Sequence, residues 1–555
     1  MLLYIRTIDT IRKENYRMKT IPFDNFGIML DCSRNAVINM TAFRKLTDIL
    51  SALGYNSIML YTEDTYEVEG EPYFGYMRGR FSIAEIREMD AYAKSKNIEL
   101  IPCIQTLAHL GSIFRYPGYA GIRDIDDILL VGEPKTYELI DKMFASVAKA
   151  FSLRKINIGM DEAFSLGHGR FLDKNGIVPR AEIMSKHLEK VLAIAAKYGF
   201  DCRMWSDMFA MSAYGGFYEH TKDESDKVRP LVPKNLSLIY WDYYHTEQSF
   251  FEDMIDKHKK LSDNVVFAGG AWTWTGFCPN NTYSIESMGA AVKACVKKGV
   301  RDVFFTMWGD NGGECSPFGV LPTLVTLSEY AKGNYDRSEI EKVFGKVVGA
   351  DYNAFMLLEL PDRICSVPGK PDTYNPSKTM LYTDPFNGLF DKCIVPGLSE
   401  RYYTELSGEL KKQEKNDLYG YLFKTIRTLC DVLAVKFDLG VKTREFYRNK
   451  DKTALKELAL KDYSELSARL EEFYAAFERC WATEKKPCGF DVQDARLGGL
   501  IRRIAHLKKR LLDYADGKVP DIPELEEELL YPLGGGKDSP VALNCYNMLY
   551  TANVT

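Results

Sequence analysis

The sequence predicts an α/β protein: a (β/α)8 TIM barrel over residues 23–335, preceded by an N-terminal extension (1–22) and followed by an all-α C-terminal domain (336–555). Three observations lead there. Eight short, β-prone apolar runs alternate with longer segments of helical periodicity. No GxGxxG follows the first run, which sets aside a doubly wound open sheet. Beyond about residue 335 the strand signal gives way to long amphipathic stretches.

The eight runs are FGIML (26–30), NSIMLY (56–61), ELIPCIQ (99–105), KINIGM (155–160), CRMWS (202–206), LSLIYW (236–241), VVFAGG (265–270) and DVFFTMW (302–308). Near-continuous apolarity suits strands covered on both faces, as in a parallel sheet wrapped by helices. The segments between them read as those helices. MTAFRKLTDILSALG aligns Phe43, Leu46, Ile49, Leu50 and Leu53 and stops at Gly54. SIAEIREMDAYAKSKN opens with Ser82 three residues before Glu85, the spacing of a capping box. AEIMSKHLEKVLAIAAKYG runs at helical period to Gly199. Further on, 361–399 is rich in Pro, Gly, Asp and Asn and reads as a long connection. Segments 400–448, 452–484 and 492–515 read as helices, and 533–555 as irregular chain.

Composition excludes several functions. With 72 basic against 77 acidic side chains, the net charge of −5 leaves no footprint for nucleic acid. The N-terminus carries Arg6, Asp9, Arg12, Lys13 and Glu14 without an apolar core, and no run reaches about 18 apolar residues, so neither a secretory signal nor a membrane span is expected. The 12 cysteines contain no CxxC pair and read as reduced thiols of a cytoplasmic protein. The 7 histidines form no HxH or HExxH, so a hydrolytic zinc site is not expected. Gly534-Gly535-Gly536-Lys537 lacks phosphate-loop spacing and reads as a loop.

In such a barrel the chemistry gathers where strands end. Those ends carry Asp31 with Arg34 nearby, then Tyr61, Glu63 and Asp64, Gln105 and His109, and Asp161-Glu162. The last four carry Trp205 and Asp207; Trp241, Asp242 and Tyr243; Trp272 and Trp274; and Trp308 and Asp310. Five of the six Trp therefore fall at four consecutive strand ends, and only Trp481 lies elsewhere. Alternating indoles and carboxylates fit a sugar, whose C–H faces lie on aromatic planes while its hydroxyls meet polar groups. Adjacent Asp161 and Glu162 would face opposite ways in a regular strand, but at a strand terminus both can reach one site. Their adjacency ill suits an ordinary retaining glycosidase, whose two carboxylates stand about 5–5.5 Å apart across the bond. It suits a substrate that supplies its own nucleophile, with one carboxylate orienting that group and the other protonating the leaving oxygen.

On these residues the chain resembles glycoside hydrolase family 20, the β-N-acetylhexosaminidases. Asn157-Ile-Gly-Met-Asp161-Glu162 resembles the family's His/Asn-x-Gly-x-Asp-Glu signature, and Gly27-Ile-Met-Leu-Asp31-Cys-Ser-Arg34 its first-strand motif. Ile101-Pro102 through His109 resembles its third strand, and Trp308-Gly-Asp310 its closing Trp-x-acid. Leu60 through Asp64, Ile104-Gln105-Thr106 and Trp241-Asp242-Tyr243 are similar to the intracellular branch containing hexosaminidase D and its bacterial relatives. There are departures. Phe26 stands where the better-known branch has an Arg that grips sugar hydroxyls, Gln105 where an Asp is common, and Asp310 where a Glu is common.

The resemblance implies the following roles. Glu162 is general acid and then base, and Asp161 accepts from the acetamido N–H. Tyr243, with Tyr244 as the alternative, donates to the acetamido oxygen. Trp205, Trp241 and Trp274 wall the acetamido methyl, and Trp308 stacks under the ring. Asp242 borders the sugar, and His109 either bonds near the acid pair or is a structural polar contact. Glu63, Asp64, Arg80 or Asp310 is expected to substitute for the missing Arg. The implied reaction is exo-acting, retaining removal of terminal β-GlcNAc, with β-GalNAc left open, from glycans or glycoconjugates, and it needs no metal or organic cofactor. Two alternatives stand beside it: a barrel glycosidase with separated carboxylates, such as Glu162 and Asp242, and a carbohydrate-binding protein without catalysis. The C-terminal helices are expected to form a homodimer interface.

Overall fold

A computed structural model describes residues 20–365, 372–532, 536, 541–543 and 545–548. Residues 1–19 of the extension, and Gly534, Gly535 and Lys537 of the glycine-rich run, lie outside them. The described chain forms two compact units. Unit 1 comprises Met1–Ala271, Ser284–Trp308 and Thr323–Ile340, and unit 2 comprises Trp272–Tyr283, Gly309–Pro322 and Glu341–Thr555.

Unit 1 holds a closed parallel barrel in sequential order: β1 (Asn25–Asp31), β2 (Ser57–Tyr61), β3 (Glu99–Cys103), β4 (Lys155–Asn157), β5 (Asp201–Trp205), β6 (Ser237–Trp241), β7 (Val265–Gly270) and β8 (Asp302–Met307). β1 pairs with both β2 and β8, which closes the ring. The helices that follow the strands are α1 (Met40–Leu53), α2 (Ile83–Ser95), α3 (Pro134–Ala150), α4 (Arg180–Lys197), α5 (Asp207–Tyr214), α6 (Gln248–Leu261), α7 (Asn281–Lys298) and α8 (Leu321–Ala331). α1 ends on Gly54 in the left-handed region, and α2 begins with the reciprocal Ser82–Glu85 capping box that the spacing predicts.

Met29, Met59, Tyr61, Ile101, Cys103, Trp205, Ile239, Val266, Ala268 and Phe304 fill the barrel interior. Near the strand starts, Arg203 pairs with Asp302 at 2.8 Å, and Asn25 donates to the same carboxylate at 2.8 Å. These polar groups tie β5, β8 and β1 at the face opposite the strand ends.

β4 is shorter than the apolar run predicts. Its last rung, Ile158 N–H to the Arg203 carbonyl (2.9 Å), is followed by Gly159 and Met160, both with positive φ. The chain turns out of the pleat there. A Cβ on Gly159 would lie 2.1 Å from Gln105 Oε1 and 2.8 Å from the Ile104 carbonyl, so this turn requires glycine.

Unit 2 is helical, with α9 (Leu398–Gln413), α10 (Gly420–Lys436), α11 (Leu439–Arg448), α12 (Lys452–Leu460), α13 (Asp462–Glu484) and α14 (Phe490–Ala515) as its main helices. The single predicted helical stretch 400–448 is thus divided into three. The expected connection 361–399 holds a short helix, Pro376–Tyr382. Phe277, Phe473, Phe477, Trp481 and Phe490 pack edge to face or tilted within the unit. A buried Glu314 takes ion pairs from Lys378 (2.7 Å) and Arg496 (2.9 Å).

Candidate active site

The site is assembled at the strand ends of unit 1, where the backbone repeatedly leaves the ordinary regions. Glu63, His109 and Glu162 all have positive φ (46°, 58° and 52°) without being glycine. Such strain persists only where surrounding contacts over-determine it, and it clusters at functional positions.

A chain of polar contacts runs around the rim. Asp31, at the end of β1, accepts from the Ser33 main chain and hydroxyl at 2.8 and 2.6 Å and pairs with Arg34 at 3.4 Å. Arg34 reaches Glu63 at 3.3 Å, and the Tyr61 hydroxyl donates to the same Glu63 oxygen at 3.1 Å. Gln105 then donates both to the Tyr61 hydroxyl (3.1 Å) and to Asp161 Oδ1 (2.8 Å), while its carbonyl accepts the Met160 N–H (3.2 Å). His109 Nε2 lies 3.3 Å from Asp161 Oδ2 and 3.6 Å from Glu162 Oε2. The His109 main-chain N–H donates to Asp127 at 3.0 Å, which steadies this left-handed residue. Finally the Glu162 main-chain N–H donates to Asp207 at 2.8 Å.

This arrangement separates the proton affinities of the two adjacent acids. Burial alone would raise Asp161, but the His109 charge 3.3 Å away and the hydrogen bond from Gln105 overcome it and lower the carboxyl. Glu162 is raised, first by desolvation and then by the Asp161 carboxylate. Its side chain remains 45% exposed, so the carboxyl is open to a reactant. Burial would lower His109, yet Asp161 above all lifts it to about 10, leaving an imidazolium at neutral pH. Asp207 is pushed up to about 7 by burial and by Asp161. One acid is thereby held as a carboxylate while its neighbour tends to keep its proton, the split expected of an acid and an electrostatic partner.

The aromatic residues lie over the barrel interior. Trp308 packs edge-on to Tyr61 (4.7 Å between centroids) and against Trp205 (5.9 Å). Trp241 stacks on Tyr243 at 5.4 Å and carries Phe217 at 4.5 Å on its ring. Trp308 and Trp241 are half-buried and roof the core. Trp205 is itself within that core, its indole N–H without a hydrogen-bond partner among the described residues. Tyr243 is buried, with Trp308 and Thr306 beside its hydroxyl and the Asp161 charge felt there. Tyr244 is exposed.

Three other residues expected at the sugar, Asp242, Asp64 and Arg80, are engaged within their own loops. Asp242 is fully buried and accepts from the Tyr240 hydroxyl (2.7 Å), the Tyr244 main chain (3.0 Å) and His245 Nδ1 (2.9 Å), so its carboxylate organises the turn after β6. Asp64 is buried against Arg78 at 2.9 Å. Arg80 donates to the Phe74 and Pro72 carbonyls. Trp274 and Asp310 belong to unit 2: Trp274 stacks on Trp272 (4.3 Å), and Asp310 is exposed. Arg34, Gln105, Asp127 and Asp207 were given no site role by sequence. For Asp207 the strand-end rule offered a signal, since it follows β5 by two residues. For Asp127, in the loop after β3, there was none. Among the described residues no group of three or more His, Cys, Asp or Glu is arranged to hold a metal ion.

Comparison with known proteins bears on this site. Residues 23–250 match the glycosyl hydrolase family 20 catalytic domain, and residues 353–542 match the Glycoside Hydrolase 20C C-terminal domain. The chain belongs to glycoside hydrolase family 20. The catalytic-domain match begins just before β1 and includes Asp161, Glu162, Asp207 and Tyr243. Among curated relatives, hexosaminidase D of Bos taurus is 24% identical over 238 residues, 41% of this chain and 63% of that protein. Hexosaminidase D of Homo sapiens is 24% identical over 232 residues, 40% of this chain and 45% of that protein. The matches thus span less than two thirds of either relative. Solved structures similar to this family 20 chain include the exo β-N-acetylglucosaminidase of Vibrio harveyi in complex with N-acetylglucosamine, with TM-score 0.46, 15% identity and coverage of 61% of this chain and 58% of that one. The chitobiase of Flavobacterium johnsoniae has TM-score 0.47, 16% identity and coverage of 91% and 74%. No helix among the described residues is long and apolar enough to cross a membrane.

Proposed function

We propose that this family 20 hydrolase is an exo-acting, retaining β-N-acetylhexosaminidase that removes terminal β-GlcNAc, and β-GalNAc where its loops admit it, by substrate-assisted catalysis. The observation that carries the reading is the pair Asp161–Glu162, adjacent in sequence, gripped by one imidazolium and displaced in opposite directions in proton affinity. Glu162 protonates the glycosidic oxygen as the substrate's acetamido oxygen attacks the anomeric carbon from the opposite face. Asp161, kept ionised, accepts from the acetamido N–H and offsets positive charge on the oxazolinium that forms. Glu162, now a carboxylate, takes a proton from the water that opens that ring. Two inversions give retention. Tyr243 donates to the acetamido oxygen, Trp308 and Trp241 offer the aromatic faces, and Arg34 with Glu63 takes the hydroxyl-recognition role left vacant at Phe26.

The separated-carboxylate alternative is disfavoured because Asp242 has both oxygens engaged within its own turn. All twelve cysteines are unpaired, which fits a reducing compartment and supports the cytoplasm as the site of action. For the helical domain we propose a homodimer contact, tested by sedimentation. The test of function is release of 4-nitrophenol from its N-acetyl-β-glucosaminide. Wild type should turn it over and Glu162→Gln should lose about 100-fold or more. A wild type inactive on aryl N-acetylhexosaminides would refute the proposal.

A further inference from the structure

We propose that Asp207 is a positioning residue for Glu162: by accepting the Glu162 main-chain N–H at 2.8 Å, its buried carboxylate holds the acid's carboxyl against the leaving-group oxygen. This rests on the acid role proposed above for Glu162.

The need for such a hold is local. Glu162 has left the β4 ladder, follows a turn with positive φ at Gly159 and Met160, and itself sits at φ 52°. Its side chain is half-exposed, so packing does not fix it. A non-glycine residue in this region relaxes unless a neighbour over-determines it.

Asp207 is built to be that neighbour. It is the first residue of α5, directly after β5, and it is buried. The strand end that carries it is tied on both sides. The Trp205 N–H donates to the Gly159 carbonyl at 3.3 Å, and the Ser206 N–H donates to the Ile239 carbonyl at 3.0 Å. The Ser206 hydroxyl also meets His258 Nε2 at 2.9 Å. A rigid strand thus presents the carboxylate to the one main-chain donor that matters for the acid. The other carboxyl oxygen, Oδ1, is buried without a hydrogen-bond partner among the described residues. A buried carboxyl beside the carboxyl groups of Asp161 and Glu162, with one oxygen unmatched among the described residues, is a poor stabilising element. What it does in this fold is hold the Glu162 main chain. Asp207 acts through the main chain of the acid, without touching the sugar.

The experiment compares two aryl N-acetyl-β-glucosaminides, phenyl and 2,4-dinitrophenyl, because only the poor leaving group depends on protonation by Glu162. Asp207→Ala should lower kcat on the phenyl glycoside about 100-fold with KM within about threefold, and on the dinitrophenyl glycoside only a few-fold. Asp207→Asn, which keeps an oxygen for the N–H, should recover most of the loss. Should the Ala variant not fold, Asp207→Ser, too short to reach the donor, takes its place. Equal losses on both substrates, or an Asn variant as poor as Ala, would overturn the inference while leaving the hexosaminidase reading intact. A wild type that turned over neither glycoside would remove both.

Discussion

Replacing His109 by Gln removes a positive charge while keeping an N–H donor for Asp161. The charge is large in its effect. Burial opposes it, but Asp161 at 3.3 Å, together with Glu63, lifts the imidazole from 6.5 to about 10. At about 1.36 kcal/mol per tenfold change in proton affinity, that elevation corresponds to a stabilisation of order 3–5 kcal/mol, counted once because the same attraction also lowers Asp161. The folded-state value is raised, so the contribution is fully present below pH 6.5 and is lost as pH climbs through about 10. Thermal melts of wild type and His109→Gln should therefore differ by roughly 5 °C near about pH 6, and the gap should close towards about pH 10. A pH-independent remainder of about 1 kcal/mol is expected, because Gln must adopt the left-handed backbone of His109. A gap that stayed flat, or widened with pH, would refute the imidazolium. The same variant raises both Asp161 and Glu162, since His109 lowers each, so both limbs of the pH–rate profile should move to higher pH.

Two further outcomes follow from named contacts. Gln105→Leu strips the donors from Asp161 and Tyr61 and strands the buried Met160 N–H, and should cost about 3–5 kcal/mol by denaturant unfolding, with activity down tenfold or more; an unchanged midpoint would contradict the network. Trp308→Ala removes the half-buried ring that packs on Tyr61 and Trp205, and should raise KM by about tenfold or more with a smaller change in kcat, which steady-state kinetics on an aryl glycoside would show.

The barrel was legible because its strands are covered on both faces and therefore read as unbroken apolar runs, each located to within a residue or so at its start. The end of β4 was not, because KINIGM is apolar to Met160 while its backbone turns at Gly159. Periodicity sees side chains, and this turn is set by φ. The acid pair was visible as a motif, with His109 as a candidate neighbour, but the contacts of its other partners were not. Gln105 reaches Asp161 from the neighbouring strand, Asp207 reaches Glu162 from the other side, and Asp127 holds His109 from later in the same loop. Such contacts depend on which strand ends face each other. Asp242 and Asp64 show the converse: correct residue types at strand ends, yet turned inward to tie down their own loops. Trp205 was expected as a wall of the sugar pocket, but the alternation of β5 directs it into the core beneath Trp308.

In the proposed mechanism the substrate's acetamide, held by Asp161, is the nucleophile. The most direct measurement is inhibition by the GlcNAc-derived thiazoline, a stable mimic of the oxazoline, on wild type and on Asp161→Asn. Wild type should be inhibited competitively with an inhibition constant at least about 100-fold below the substrate KM, weakened at least tenfold by Asp161→Asn. An enzyme that hydrolysed the aryl N-acetyl-β-glucosaminide yet bound the thiazoline no more tightly than substrate would contradict it.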